Sequence, residues 1–128
     1  MRLLLDTHVA IWALSAPDAL SDVARAAITD ADELWLSVVS PWELVIKSAL
    51  GKVVLHSPVE ALCAELTREF GVRTLDIQLS HVLAAGGLPL HHGDPFDRLL
   101  IAQAQVERLA VVTRDHVFAA YGVEVITA

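Results

Sequence analysis

Short, unbroken runs of apolar residues alternate along this chain with longer stretches in which apolar residues recur at the spacing of one helix face. Unbroken runs of this length are typical of strands that are buried on both faces. They predict five strands, at residues 3–5, 34–39, 72–75, 109–113 and 123–126, with the last at a sheet edge. Because strands alternate with helices, we predict an α/β protein whose central sheet is mainly parallel and is covered by helices on both faces.

Residues typical of N-caps predict where several helices begin. Asp94 precedes Pro95, which predicts an N-cap followed by proline at the first helical position. Asp97 then falls in the first turn of this helix, where an acid stabilises the helix dipole without any further role. Ser21 and Asp76 are predicted to cap two other helices.

Two tetrapeptides share the pattern Ser-Pro-x-Glu, at residues 40–43 and 57–60. Each has the form of a capping box, in which the serine accepts from the N3 amide and the glutamate reaches back to the N-cap amide. Their surroundings differ, because Glu43 follows a predicted buried strand at once whereas Glu60 follows a loop that contains Gly51. Position therefore favours Glu43 over Glu60 as a functional acid.

Four acids lie close to predicted strand ends. Asp6, Glu43 and Asp115 lie at or just beyond the carboxyl ends of strands, and Asp97 begins the helix before the strand at 109–113. Ligands of open parallel sheets bind outside the carboxyl ends of the strands. We therefore expect these four carboxylates to share one edge of the sheet.

Clustered carboxylates repel one another and raise each other's pKa unless a cation neutralises them. Carboxylate oxygens without a paired set of cysteines or histidines suit Mg²⁺ or Mn²⁺ better than zinc. The net charge of −7 argues against a basic nucleic-acid clamp. A cation held by carboxylates would nevertheless supply positive charge for chemistry on a phosphodiester.

The histidines, tryptophans and cysteine indicate no second site. The adjacent His91 and His92 point in different directions on an ordinary backbone, so we interpret them as loop groups or groups that contact the ligands, not as a zinc pair. Trp12, Trp35 and Trp42 lie among apolar neighbours and are interpreted as core or interface groups, not a base-stacking platform. The single cysteine, Cys63, lies on the apolar stripe of a helix and is interpreted as a core residue.

Length and composition predict one domain over residues 1–128. The hydrophobic fraction of 55% leaves two alternatives open: an alanine-, valine- and leucine-rich core with nothing left over, or an apolar surface that a partner or a second copy covers. No apolar run approaches the ~18 residues of a membrane span, and the run at 3–5 is too short for a signal peptide. We therefore expect a cytoplasmic protein that does not insert into a membrane.

Taken together, the motifs resemble those of the PIN-domain ribonucleases, and among them the VapC-type toxins of type II toxin–antitoxin pairs. The matching segments are LLDTH at residues 4–8, SVVSPWEL at 37–44 with Lys47, DPFDRLLIAQA at 94–104 and VTRD at 112–115. They occur in the family's order and extend over nearly the whole chain. The resemblance implies a three-layer α/β/α sandwich and endonucleolytic cleavage of RNA that depends on Mg²⁺, with Mn²⁺ as the other candidate ion.

The resemblance also implies roles for individual residues. Asp6 and Asp97 match the family's principal metal ligands, Glu43 matches the second acid and Asp115 the fourth. Thr113 matches a hydroxyl residue beside the fourth acid, and Asp94 an acid that only some members share. The residues that would support the ligands or contact RNA are Thr7, Lys47, Asp94, Arg98, Thr113 and Arg114. For the three basic residues among them, the alternative is a solvated surface side chain without a role in the site.

The toxins of this group are commonly homodimers, and a small antitoxin encoded beside each one inhibits it, so the resemblance implies an RNA substrate, a cognate antitoxin and a homodimer. Two other classes stay open at this point. The first is a non-catalytic PIN-like module that binds a protein partner or RNA. The second, a signalling receiver, needs an early acid pair and a lysine after a late strand, where this chain has Arg114.

Overall fold

The computed structural model describes residues 1–128. The five strands are Arg2–Leu5 (β1), Glu33–Ser37 (β2), Arg73–Leu75 (β3), Ala110–Thr113 (β4) and Val125–Thr127 (β5). The six helices are Thr7–Ser15 (α1), Asp22–Asp30 (α2), Val39–Ala49 (α3), Val59–Phe70 (α4), Leu79–Gly86 (α5) and Pro95–Glu107 (α6). Two 3₁₀ segments cover Pro17–Ala19 and His116–Tyr121.

The five strands form one sheet in the order β3-β2-β1-β4-β5, and every pair is parallel. The prediction of a mainly parallel sheet is therefore confirmed, as is the edge position of the last strand. β1 is central: Leu3 lies opposite Leu34 of β2 and Ala110 of β4. The backbone amide of Asp6 donates to the carbonyl of Val112 at 3.0 Å, so the pairing continues to the carboxyl end of β1.

The alternation of side chains along β1 divides the core into two layers, as period-2 geometry requires. Leu3 and Leu5 pack into a cluster formed largely with α1, α2 and α4. Leu4 packs on the opposite face, with α3, α6 and the 3₁₀ segment His116–Tyr121. The sheet therefore lies between two helical layers, as predicted. No helix is both long enough and apolar enough to cross a bilayer.

Two predicted caps are confirmed. The Ser21 hydroxyl accepts from the Ala24 amide at 3.0 Å at the start of α2. Oδ1 of Asp94 accepts from the amides of Phe96 and Asp97, at 2.8 and 3.2 Å, and Pro95 is the first residue of α6.

Other predicted helix starts are wrong. β2 ends at Ser37 instead of residue 39, and the Ser37 hydroxyl accepts from the Val39 amide at 3.1 Å where the chain turns into α3. Ser40 therefore lies inside α3 and caps nothing. The N-cap of α4 is Pro58, without a side-chain bond from Ser57, and that of α5 is Gln78 and not Asp76.

Candidate active site

The structure brings the predicted acids together beyond the carboxyl ends of the central strands. Asp6 directly follows β1, Asp115 lies two residues after β4, Glu43 lies in α3 and Asp97 lies in the first turn of α6. Three residues, Thr7, Thr113 and His92, connect neighbouring acids to one another. The expectation of a shared sheet edge, drawn from the strand ends, agrees with this arrangement.

Thr7 connects Asp6 with Glu43. Its backbone amide donates to Oδ1 of Asp6 at 2.7 Å, and its hydroxyl donates to Oε1 of Glu43 at 2.9 Å. The Ser40 hydroxyl lies 2.8 Å from that of Thr7 and hydrogen-bonds with it. Asp6 and Glu43 are only 8% and 3% exposed, so these bonds replace water around two buried carboxylates. Ser40 and Glu43 thus serve the acid cluster and not the capping box that their spacing predicts.

Thr113 connects Asp6 with Asp115. Its hydroxyl donates to Oδ2 of Asp6 at 2.7 Å and accepts from the Asp115 amide at 3.0 Å. Because β1 and β4 are neighbours in the sheet, the end of one strand supplies the acid and the end of the other supplies the hydroxyl. Both oxygens of Asp6 consequently accept a hydrogen bond from the protein.

His92 connects Asp97 with Asp115. Its Nε2 lies 2.8 Å from Oδ2 of Asp115 and 3.1 Å from Oδ2 of Asp97. These three side chains are also close enough together to hold a metal ion. Sequence reasoning assigned His92 only to a loop or to contacts with the ligands, and no spacing signal in the chain indicates that it reaches two acids.

The two arginines beside the acids bind backbone carbonyls. The Arg98 guanidinium donates to the carbonyls of Ala85, Leu88, Pro89 and His92, at 2.9–3.2 Å. That of Arg114 donates to the carbonyls of Ala19 and Ala128 and lies 4.2 Å from the ring centroid of Trp12. Each arginine therefore supports the backbone around the site.

Lys47 is the cation next to Glu43, one helical turn along α3. Its Nζ lies 2.5 Å from Oε2 of Glu43, and this bond raises the pKa of Lys47. Of the two alternatives expected for the tryptophans, core or interface, Trp42 does not belong to the core. That side chain is 54% exposed and meets the Phe96 ring edge-on, 5.1 Å between centroids.

The cluster carries more negative charge than the protein itself neutralises. Burial, followed by the charges of Asp6 and Asp94, raises the pKa of Asp97 to about 7, although His92 opposes the shift. Burial also raises the pKa of Asp6, against the hydrogen bond from Thr113. A divalent cation would relieve both penalties, and carboxylate oxygens are ligands that such cations bind. The residues present therefore fit a divalent metal. Asp94, besides capping α6, adds negative charge next to Asp97.

The chain matches the model of the PIN domain family over residues 3–124, and it belongs to that family. It is 38% identical over 113 residues to Ribonuclease VapC22 of Mycobacterium tuberculosis (strain ATCC 25618 / H37Rv), an alignment that covers 88% of this chain and 85% of the relative.

Solved structures share the fold at low sequence identity. VapBC-1 from nontypeable Haemophilus influenzae matches with a TM-score of 0.69 at 18% identity, over 99% of this chain and 98% of that one. VapBC2 from Rickettsia felis, bound to a DNA fragment from its promoter, matches with 0.68 at 15%, over 99% and 98%. FitAcB from Neisseria gonorrhoeae matches with 0.65 at 22%, over 98% and 96%.

Proposed function

We propose that this protein is a divalent-metal-dependent endoribonuclease and the toxin of a toxin–antitoxin pair. The observation that carries the proposal is the set of four acids, Asp6, Glu43, Asp97 and Asp115, bridged to one another at the carboxyl edge of the sheet in a PIN-domain chain. Its relative of 38% identity is named a ribonuclease, which supports RNA as the substrate.

In this proposal Asp6 and Asp97 are the principal ligands of Mg²⁺, with Mn²⁺ as a substitute, and Glu43 and Asp115 complete the set. When bound, such a cation lowers the pKa of a water molecule and stabilises the charge that develops on a phosphodiester. The chain itself fixes the geometry. Thr7 and Thr113 orient the carboxylate of Asp6, and Lys47 holds Oε2 of Glu43.

The direct test is cleavage of RNA by the purified chain with Mg²⁺ or Mn²⁺, and its loss in Asp6→Asn and in Asp97→Asn. An amide keeps the shape of the carboxylate but removes its charge. Glu60→Gln is a matched control because Glu60 is exposed on α4 and belongs to the other Ser-Pro-x-Glu tetrapeptide. Cleavage that persists in both aspartate variants would refute the assigned roles. A wild-type chain that binds metal or RNA without cleaving would instead favour the non-catalytic binding module.

Apolar surface on two helical regions supports the proposed partners, an antitoxin and a second copy of the chain. Between α3 and α4 runs an open groove of about 880 Å³ whose apolar lining includes Pro41, Val45 and Val59. A separate helix, α5, exposes Leu79 and Leu83. The solved structures of similar fold include VapBC assemblies, which supports a small antitoxin as one partner. Light scattering of the chain alone and of the chain co-expressed with a small protein encoded beside it would test the two partners separately.

A further inference from the structure

A single side-chain atom of His92, Nε2, lies within 3.1 Å of the carboxylates of two of the acids, Asp97 and Asp115. It lies in the loop between α5 and α6, two residues before the N-cap Asp94. Its ring also meets the edge of Phe118, 6.0 Å between centroids, in the core layer below. The histidine thus links the acid cluster to packed structure and is not a free surface group.

Hydrogen bonding assigns the proton on the His92 ring. Nδ1 accepts from the backbone amide of Asp94 at 3.1 Å, so a neutral ring carries its proton on Nε2. This N–H donates to Oδ2 of Asp115 at 2.8 Å, and Oδ2 of Asp97 lies 3.1 Å from the same nitrogen. In this orientation Nε2 has no lone pair for a metal ion, because the tautomer that would free one places an N–H on Nδ1 against the N–H of Asp94.

The loop that carries His92 is fixed from two sides. The Tyr121 hydroxyl accepts from the amides of His91 and His92, at 3.0 and 2.7 Å, and donates to the Pro89 carbonyl at 2.8 Å. The guanidinium of Arg98 donates to the carbonyl of His92 and to three carbonyls before it. Two buried or half-buried side chains therefore hold the backbone at the point where the imidazole leaves it, as precise placement of a functional group requires.

We propose that His92 is a positioning residue that holds Asp115 next to Asp97 in the arrangement that binds a divalent cation. The inference deepens the proposed function, because it concerns the same site. A carboxylate oxygen has two lone pairs, so it can accept from His92 and still bind a cation. Groups that hydrogen-bond to metal ligands in this way typically contribute about 10–100-fold to metal affinity.

The test is a calorimetric titration of the intact protein with Mn²⁺, comparing wild type with three variants. We expect His92→Leu, which has no donor, to bind Mn²⁺ about 10–100-fold more weakly. His92→Gln keeps an N–H near the position of Nε2 and should restore most of the affinity. His91→Leu is the matched control, since its side chain packs on Tyr121 and contacts none of the acids, and it should bind like wild type.

Thermal unfolding without metal must show that each variant is folded, and His92→Gln remains informative if His92→Leu is not. Unchanged or tighter binding in His92→Leu would overturn the proposal, because the histidine would then be irrelevant to the cation or would compete with it. A ¹⁴N coupling to bound Mn²⁺ in pulsed EPR of the wild type, lost in His92→Leu, would also overturn it by making His92 a ligand.

The RNA assay separates this inference from the proposed function. Wild type that binds Mn²⁺ in a His92-dependent manner but cleaves no RNA would contradict the nuclease and leave the positioning role intact. RNA cleavage by a protein whose Mn²⁺ affinity does not depend on His92 would support the nuclease and contradict the positioning role. No Mn²⁺ binding by the wild type at millimolar concentration would overturn both.

Discussion

The acid cluster has a buried side and an open side, and the two are built differently. On the buried side, Asp6 and Glu43 receive hydrogen bonds from side chains at the start of α1, at the end of β4 and within α3. On the open side, the side chains of Asp97 and Asp115 are 19% and 35% exposed, and both lie within 3.1 Å of Nε2 of His92, which comes from a loop. Regular structure therefore fixes half of the site, and the placement of one loop fixes the other half.

The largest expected effect is on the buried side. Glu43→Gln should reduce RNA cleavage by about 10²–10³-fold, because it removes a charge from a site whose chemistry depends on electrostatic stabilisation. Glu60→Gln should leave the rate unchanged, although both glutamates occupy the same position of a Ser-Pro-x-Glu tetrapeptide. Initial rates at saturating Mn²⁺ compare the two, and equal rates would show that Glu43 is structural.

The open side should show the larger gain in stability when a charge is removed. Asp97→Asn should stabilise the metal-free protein by about 1–2 kcal/mol at pH 7.5, since the pKa of Asp97 is raised to about 7 and its ionised form is unfavourable. Asp6→Asn should not stabilise, because its amide group would face the donors of Thr7 or Thr113. Urea unfolding in the presence of a chelator measures the stability of both variants. A gain in stability in Asp6→Asn would contradict the expected difference between the two sides of the site.

The stability of the metal-free protein should depend on pH through the same group. Because burial and neighbouring acids raise the pKa of folded Asp97 from 3.8 to about 7, the native state binds more protons than the unfolded chain between those values. Stability should therefore fall as the pH rises from about 4 to about 7, by about 1–2 kcal/mol from this group. Urea midpoints across this range, with Asp97→Asn as the reference, isolate the contribution. If the urea midpoint rises more steeply with pH in Asp97→Asn than in wild type, the expected direction of the Asp97 contribution is confirmed. Equal slopes in the two proteins would contradict it.

The smallest expected effect concerns the loop that supports the open side. Arg98→Lys keeps the charge but loses the fork of donors that reaches four carbonyls, and it should lower stability by about 1 kcal/mol. Mn²⁺ affinity should fall with it, because His92 lies on the loop that Arg98 holds. Arg68→Lys on the exposed face of α4 is a suitable control. If Arg98→Lys loses stability but keeps its Mn²⁺ affinity, the loop that Arg98 holds does not contribute to metal binding.

The parts of the site that lie at strand ends could be predicted from the sequence. Asp6 and Asp115 each follow an apolar run, and parallel strands bring their carboxyl ends to one edge, so a shared edge for these two acids could be expected. That β1 and β4 are direct neighbours in the sheet could not. Asp94 was predictable as a cap because a cap depends only on residues next to it.

The remaining features depend on contacts between distant segments. Ser40 and Glu43 fit a capping box locally, but the adjacent strand β1 brings Thr7 to both of them, and hydrogen bonds with this threonine replace the box. His92 reaches Asp115 across 23 positions because Tyr121 and Arg98 fix a loop that has no periodic pattern. The local spacing of residues in the sequence does not indicate either contact.

The central place of β1 also sets when the site can form during folding. Its pairing with β4 joins residues more than a hundred positions apart, so Asp6 meets the Thr113 hydroxyl only through the longest loop closure in the sheet. Contacts of such large sequence separation form slowly. A nascent chain that has emerged only through α5 carries Asp6 and Glu43 but neither Asp97 nor Asp115, so the proposed active site is incomplete while the chain is still being made.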